Sequence, residues 1–469
     1  MYRIAKEICI FCRLKTRMKK LLFIAFAALL ISETAAQTDP AIVNWIQNTT
    51  NIKGRHYVKG NSTPVNDAVL ANVQKVQYST DWVYVSTNGI PSYITGPFLD
   101  GNPSLASSQN AIFKISLKPV KNTGTPTNTT GGNIGIFMNG VALFDYRDGV
   151  SWSNALQALK GGPLMGMGDN VWNRDAVVGE RLGFDCAKGH PAMGNYHHHQ
   201  NPSAFNLDRK VISTVCDLYA ADGLYVLDST KHSPLLGYTV DGFPIYGAYG
   251  YKNADGTGGI TRMKSSYFLR NITDRTVYAN GSDVIDGPAV STTYPLGYFR
   301  EDYGYIAPSA SLPDYLDDHN GRFCVTPEYP KGIYCYFATV DANWNSAYPY
   351  IVGPTFYGVR TAAKVTSITE TVSTYTPSTS LVMGKEMPKI SIMPNPASEV
   401  LAVQISNGQQ QAVKVELIDL QGRIIAVQSI FPGSTMAHFD VRKLYAGDYL
   451  VRVFTPHGSF VERVVILKD

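Results

Sequence analysis

The sequence predicts a mainly β protein, with a large β-rich domain followed by a small Ig-like β-sandwich. Three observations carry that prediction. Short runs alternate apolar and polar residues, as in Trp82-Val83-Tyr84-Val85-Ser86 and Ile112-Phe113-Lys114-Ile115-Ser116-Leu117. Turn formers punctuate the whole chain, with 41 Gly and 26 Pro in 469 residues. The 29 tyrosines and a charged fraction of only 17% fit a loop-rich extracellular β protein whose aromatics pack between sheets.

In chain order, residues 1–36 read as an export signal. Lys19-Lys20 precedes the apolar run Leu21 to Ile31, and Ala35-Ala36 supplies a small-residue cleavage site before Gln37. Met18 opens this signal, which makes residues 1–17 a candidate misassigned start. The apolar run is too short to span a bilayer, so no transmembrane span is expected in the mature chain. Residues 37–134 form an N-terminal β-rich segment that ends in a polar loop, Lys121 to Gly132. A hairpin is expected over Gly135 to Phe144, because Asn139-Gly140 supplies a tight turn. Helices are expected at Asn154 to Lys160 and Val211 to Ala220. Residues 361–380 hold eleven Ser or Thr with almost no large apolar side chains, and 361–389 reads as a linker.

After the linker, Met393-Pro394-Asn395-Pro396 makes a turn. Leu401, Val403 and Ile405 then alternate with polar or small residues, as do Val413, Val415 and Leu417. The turn Asp419-Leu420-Gln421-Gly422-Arg423, the segment Leu444-Tyr445-Ala446-Gly447-Asp448-Tyr449 and the ending Val464-Val465-Ile466-Leu467-Lys468 complete a small sandwich over 390–469. In combination these motifs resemble the C-terminal sorting domain of type IX secretion substrates. The resemblance implies the type IX secretion machinery as a partner and a secreted or outer-membrane cell-surface location. The bland alternative is an Ig-like binding module.

Net charge is +4 and evenly spread, with no basic run outside the leader, which argues against a nucleic-acid partner. Cys9 and Cys12 leave with the leader. Cys186, Cys216, Cys324 and Cys335 remain, an even set in an exported chain. Local pairs are favoured: Cys186 with Cys216 around the histidines, and Cys324 with Cys335 across a hairpin. A thiolate metal ligand at Cys216 ranks below a bridge.

The most informative stretch is Tyr196-His197-His198-His199, after Gly189-His190-Pro191 and before Gln200-Asn201-Pro202. On an extended backbone His197 and His199 share one face, and Tyr196 and His198 the other. Two imidazoles two residues apart can grip one metal through neutral nitrogens. Further motifs follow in order: His232-Ser233-Pro234, Asp241-Gly242-Phe243-Pro244, Asp317-Asp318-His319-Asn320-Gly321, Thr326-Pro327-Glu328 and Tyr348-Pro349-Tyr350. Together they resemble the YHYH-domain family, named for a Tyr-His-Tyr-His core, over 135–360. His198 stands where the second tyrosine of that core is expected. The resemblance implies a domain type and no particular reaction.

The expected metal site uses His197 and His199, completed by His190 or His232 and by Asp241 or His319, with copper or zinc as the cofactor. A third nitrogen and an open position permit hydrolytic or redox chemistry. A cupin glutamate is missing after the His pair, and a histidine brace needs His at the mature N-terminus. His-Glu-x-x-His, EF-hand loops and a Gly-x-Ser-x-Gly elbow are absent from the sequence. Asp217, Asp222 and Asp228 are candidates for an irregular oxygen site, and Glu328 with Asp241 for an acid–base pair on a sugar. Against all of this stands the purely structural alternative, in which the histidines bond buried backbone in a turn-rich core. The rival function is a non-enzymatic adhesin that takes a surface glycan or small molecule through Tyr246, Tyr249 and Tyr251. A structural envelope component is the third.

Overall fold

A computed structural model describes residues 39–468 apart from 62, 101–103, 130, 162–167, 203–224, 226, 361–363, 378–389, 406–412, 421–422, 431–434 and 456–457. The expected export signal, the helix at Val211 to Ala220, and Cys216, Asp217 and Asp222 lie outside the described residues. The chain divides into two compact units, residues 1–377 and 378–469. It is almost entirely strand and turn, a mainly β architecture.

The first unit is built on an eight-stranded sheet. Its spatial order is Gly189–Ala192, Asn195–His198, Ala142–Phe144, Asn133–Phe137, Leu235–Thr239, Pro244–Tyr246, Ile333–Phe337 and Gly321–Cys324. Neighbouring strands run antiparallel except at two joins, Asn195–His198 with Ala142–Phe144 and Pro244–Tyr246 with Ile333–Phe337. Because successive side chains point to opposite faces, each strand feeds two cores. Ile136, Tyr246 and Phe337 enter one, and their neighbours Phe137, Ile245 and Tyr336 enter the other. Such near-continuous apolar runs mark a sheet covered on both sides.

The first of those cores is closed by a five-stranded sheet whose Val76, Val83, Val85, Phe113 and Ile115 are buried against it. The strands of this sheet within 73–116 therefore share a core with the later segment. The Ser/Thr-rich stretch also differs from the expected linker. Lys364–Val365 and Ser373–Tyr375 are the two edge strands of this sheet, beside Ala111–Ser116 and Val73–Tyr78. Edge strands bond on one side only and suit β-branched Thr and Val, so the polarity that suggests a linker is compatible with pairing.

The expected hairpin over 135–144 forms. Gly140 has φ +83, and the Phe137 N–H donates to Val141 O at 2.8 Å. A Cβ on Gly140 would lie 2.2 Å from Thr87 Oγ1, so the sheets also require glycine there. The helix expected at Asn154 to Lys160 does not form. Ala158–Gly161 pairs antiparallel with Arg147–Ser153, and Gln157 turns with φ 50. The chain reverses before a helical turn can start.

Cysteine chemistry divides. Cys186 is disulfide-bonded, and its expected partner falls outside the described residues. Cys324 and Cys335 are buried and free, which corrects the expected staple. In the hairpin register Cys324 faces Ile333 and Cys335 faces Arg322, so the two thiols are diagonal neighbours that hydrogen-bond without a covalent link.

The second unit packs a three-stranded sheet and a four-stranded antiparallel sheet around one core. Leu401, Val403 and Ile405 from one sheet meet Val413, Val415 and Leu417 from the other, as their alternation predicts.

Candidate metal centre

The site begins with a hairpin at the edge of the eight-stranded sheet. Gly189–Ala192 pairs antiparallel with Asn195–His198, placing His190 directly opposite His197. The two-residue turn between them, Met193-Gly194, has φ of 50 and 82, the positive pair that fits the right-handed strand twist. Pro191 is tolerated because its strand is at the sheet edge. His199 follows at the strand end and turns back toward the other two rings.

A second element brings a carboxylate. Asp175 caps the short helix Ala176–Gly179, accepting from Val177 N–H at 2.8 Å, and is itself fixed by the Tyr350 hydroxyl at 2.7 Å. The helix stops at Glu180, whose N–H closes on Ala176 O. The Glu180 side chain then points at the imidazoles. Its Oε2 is 3.2 Å from His190 Nε2 and 3.2 Å from His199 Nε2.

The three Nε2 atoms crowd together. His197 Nε2 lies 3.0 Å from His199 Nε2, and His190 Nε2 lies 3.3 Å from it. A tetrahedral ion with metal–nitrogen bonds of about 2.0–2.1 Å has ligand–ligand edges of about 3.3–3.4 Å. The printed edges, 3.0 and 3.3 Å between imidazoles and 3.2 Å from Glu180 to His190 and His199, are close to that spacing. Among the described residues, this is the one convergence of three metal-binding side chains.

The far nitrogens fix the protons. His197 Nδ1 is 2.8 Å from Asn195 O, and His199 Nδ1 is 2.7 Å from Asp145 O. A carbonyl only accepts, so each Nδ1 carries a hydrogen, and in the neutral ring each Nε2 has its lone pair toward the centre. Outer carbonyls orient metal-bound imidazoles in this manner. Asp145 is itself immobilised, its carboxylate accepting from Gly131 N–H and from Arg147 Nε and Nη2. Phe144 stacks on His197 at 4.0 Å, and Phe184 meets His190 edge-on at 5.0 Å.

Electrostatics follow from this crowding. Burial, with His199 and His190 adding to it, holds His197 well below the ordinary imidazole value. Burial also opposes charge on His199, but the Glu180 carboxylate outweighs it and the net shift is upward. Burial pushes Glu180 up, yet His190 and His199 more than reverse that and leave it well below the usual carboxylate range. One proton on His199 would serve Glu180 while His197 Nε2 still faced it at 3.0 Å. A divalent cation answers every lone pair at once. Glu180 Oε2 is indeed a buried atom without a conventional hydrogen bond. The imidazoles and Glu180 Oε2 are buried, while the rest of the Glu180 side chain is partly exposed.

Other expected ligands sit elsewhere. His232 Nδ1 bonds Ser233 O, its neighbour in sequence. Asp241 accepts from Tyr336 O–H and Gly358 N–H. His319 is held by Thr355 through Nδ1. Each is anchored by nearby structure, and none joins the imidazole cluster. Glu328 accepts from Tyr246 O–H, in a network apart from that of Asp241. Asp228 is an exposed loop residue bonded to Thr230. Tyr246 and Tyr249 are buried, which removes them from the expected contact surface. Glu180 was not among the expected ligands. Its sequence signal is a capping Asp followed by Ala-Val-Val-Gly and an acid, ten residues before His190.

The opposite face of the hairpin is closed. His198 Nδ1 donates to Lys188 O, and its Nε2 accepts from Tyr93 O–H at 2.7 Å. Tyr196 O–H donates to Asp185, which also accepts from Gly96, Ala187 and Gly189 N–H.

A β-built, His-rich domain ahead of a separate C-terminal sandwich defines a two-part extracellular protein, and comparison with known families agrees. Residues 112–349, just over half of the chain, match the YHYH protein model, and the chain belongs to that family. Residues 391–467 match the secretion system C-terminal sorting domain, which makes this a secreted or outer-membrane surface protein. No curated protein matches. Among solved structures, a DUF3244 family protein with an immunoglobulin-like β-sandwich fold from Bacteroides vulgatus shares 14% identity, with TM-score 0.15, over 16% of this chain and 81% of its own. The BSP domain of a biofilm associated protein shares 15% identity, with TM-score 0.16, over 32% of this chain and 24% of its own. At these scores neither similarity bears on function. No helix among the described residues is long and apolar enough to cross a membrane.

Proposed function

We propose that this is a surface-delivered metal-binding protein holding one transition-metal ion through His190, His197 and His199, with Glu180 as the fourth ligand. The observation that carries the reading is the pair of Nε2 lone pairs 3.0 Å apart whose far nitrogens both donate to main-chain carbonyls. Three imidazoles with one carboxylate suit zinc or copper. The bound ion would act there as a Lewis acid or redox centre. The chain's own residues orient the rings through the Asn195 and Asp145 carbonyls and keep the imidazoles buried.

The test is elemental analysis of untagged protein. Wild type should carry close to one equivalent of zinc or copper, and His197→Ala/His199→Ala almost none. Equal metal in both would sink the proposal.

A further inference from the structure

On the other side of the Glu180 segment lies a cleft of about 670 Å³, within the size range that holds small ligands. Val177, Val178 and Arg181 form one wall, while Glu180 between them turns to the imidazoles. The floor is aromatic. Tyr303 and Tyr348 stack with centroids 4.0 Å apart, and Tyr267 and Tyr315 are half-buried beside them. Charge is one-sided. Three cations, Arg181, Arg262 and Lys264, line the cleft against a single carboxylate, Asp341. That carboxylate is already occupied by the N–H groups of Asn343 and Asn345 and by the Asn345 amide. Arg262 supports Val340 O and Lys264 pairs with Asp314, which leaves exposed Arg181 facing solvent at the rim. Ser346, also in the lining, has a buried hydroxyl with no hydrogen-bond partner.

We infer that this cleft binds an anionic saccharide. A sugar ring offers C–H groups to tyrosine faces and hydroxyls to Ser346 and Asn345, and its carboxylate would meet Arg181. A purely apolar ring would leave the Ser346 hydroxyl buried and unanswered. The assignment uses no metal ligand and stands whether or not the centre is loaded.

Calorimetric titration of the full chain, with and without chelator, tests it. Trigalacturonate is expected to bind at least ten-fold more tightly than neutral galactotriose, in both conditions. Arg181→Ala, an exposed position whose folding is checked by near-UV circular dichroism, should cost about ten-fold in affinity. Ser346→Ala provides a second variant and should weaken binding several-fold. Absent binding, equal binding of the two sugars, benzoate binding as tightly as the trisaccharide, undiminished binding by both variants, or a strict requirement for metal would each overturn the inference.

Discussion

The two faces of one hairpin put the same side chain to opposite uses. On one face His198 lies between a donor, Tyr93 O–H, and an acceptor, Lys188 O, so both ring nitrogens are satisfied by protein. On the other, His197 and His199 bond carbonyls through Nδ1 and bring their Nε2 atoms within 3.0 Å of each other. Burial is equal, at 1% exposed for both His197 and His198. Burial therefore does not distinguish a structural histidine from a ligand. The surroundings do: His198 meets one donor and one acceptor, whereas the Nε2 atoms of His190, His197 and His199 converge on one another and on a carboxylate.

The largest break of that comparison is removal of the proposed ion. An ion held at a thousand-fold excess over its dissociation constant stabilises the folded state by about 4 kcal/mol. Chelator should lower the unfolding temperature of wild type by several degrees and leave His197→Ala/His199→Ala unmoved. A chelator effect of equal size in both proteins would mean that the ion is held elsewhere.

The closed face predicts a pH dependence of its own. Burial pushes Asp185 up to about 7, against hydrogen bonds from Gly189, Tyr196, Gly96 and Ala187. A raised folded value means that the stability contributed by the protonated group is complete below about pH 4 and lost as pH rises through about 7. In chelator, the advantage of wild type over Asp185→Asn should shrink from pH 5 to 7, by at most about 1.4 kcal/mol per pH unit. Denaturant titrations at three pH values measure it, and an advantage that does not change with pH would show Asp185 ionised throughout.

Removing one hydroxyl is a milder test. Tyr196→Phe takes a donor from buried Asp185 and should cost about 1–3 kcal/mol in urea unfolding, with metal content unchanged. Metal loss in that variant would show that the two faces are coupled through the hairpin.

Much of this was legible in the chain. Alternation at Phe113 and Ile115, or at Leu401, Val403 and Ile405, specified buried faces because a strand has period two. The His197/His199 pair stood out for the same reason. His190 could be named but not placed, since its role depends on a Met193-Gly194 turn that sets it opposite His197. Glu180 escaped because a carboxylate at the end of a four-residue helix leaves no periodic trace. His232, Asp241 and His319 belonged to equally suggestive motifs, yet nearby backbone or hydroxyl groups anchor each of them away from the imidazole cluster, with His232 Nε2 left unpartnered. Ser373–Tyr375 misled through composition, which does not report pairing at a sheet edge.

Glu180→Gln separates the two ways of satisfying the open face. The substitution keeps the shape of the side chain and removes its charge. If Glu180 is a metal ligand, affinity should fall about ten-fold in a competitive chelator titration, while stability measured without metal stays near that of wild type. If Glu180 is instead the counter-ion of a protonated His199, the metal-free protein would lose stability, and metal affinity would not change. The second outcome would place His199 in the same class as His198, an imidazole completed by protein groups alone.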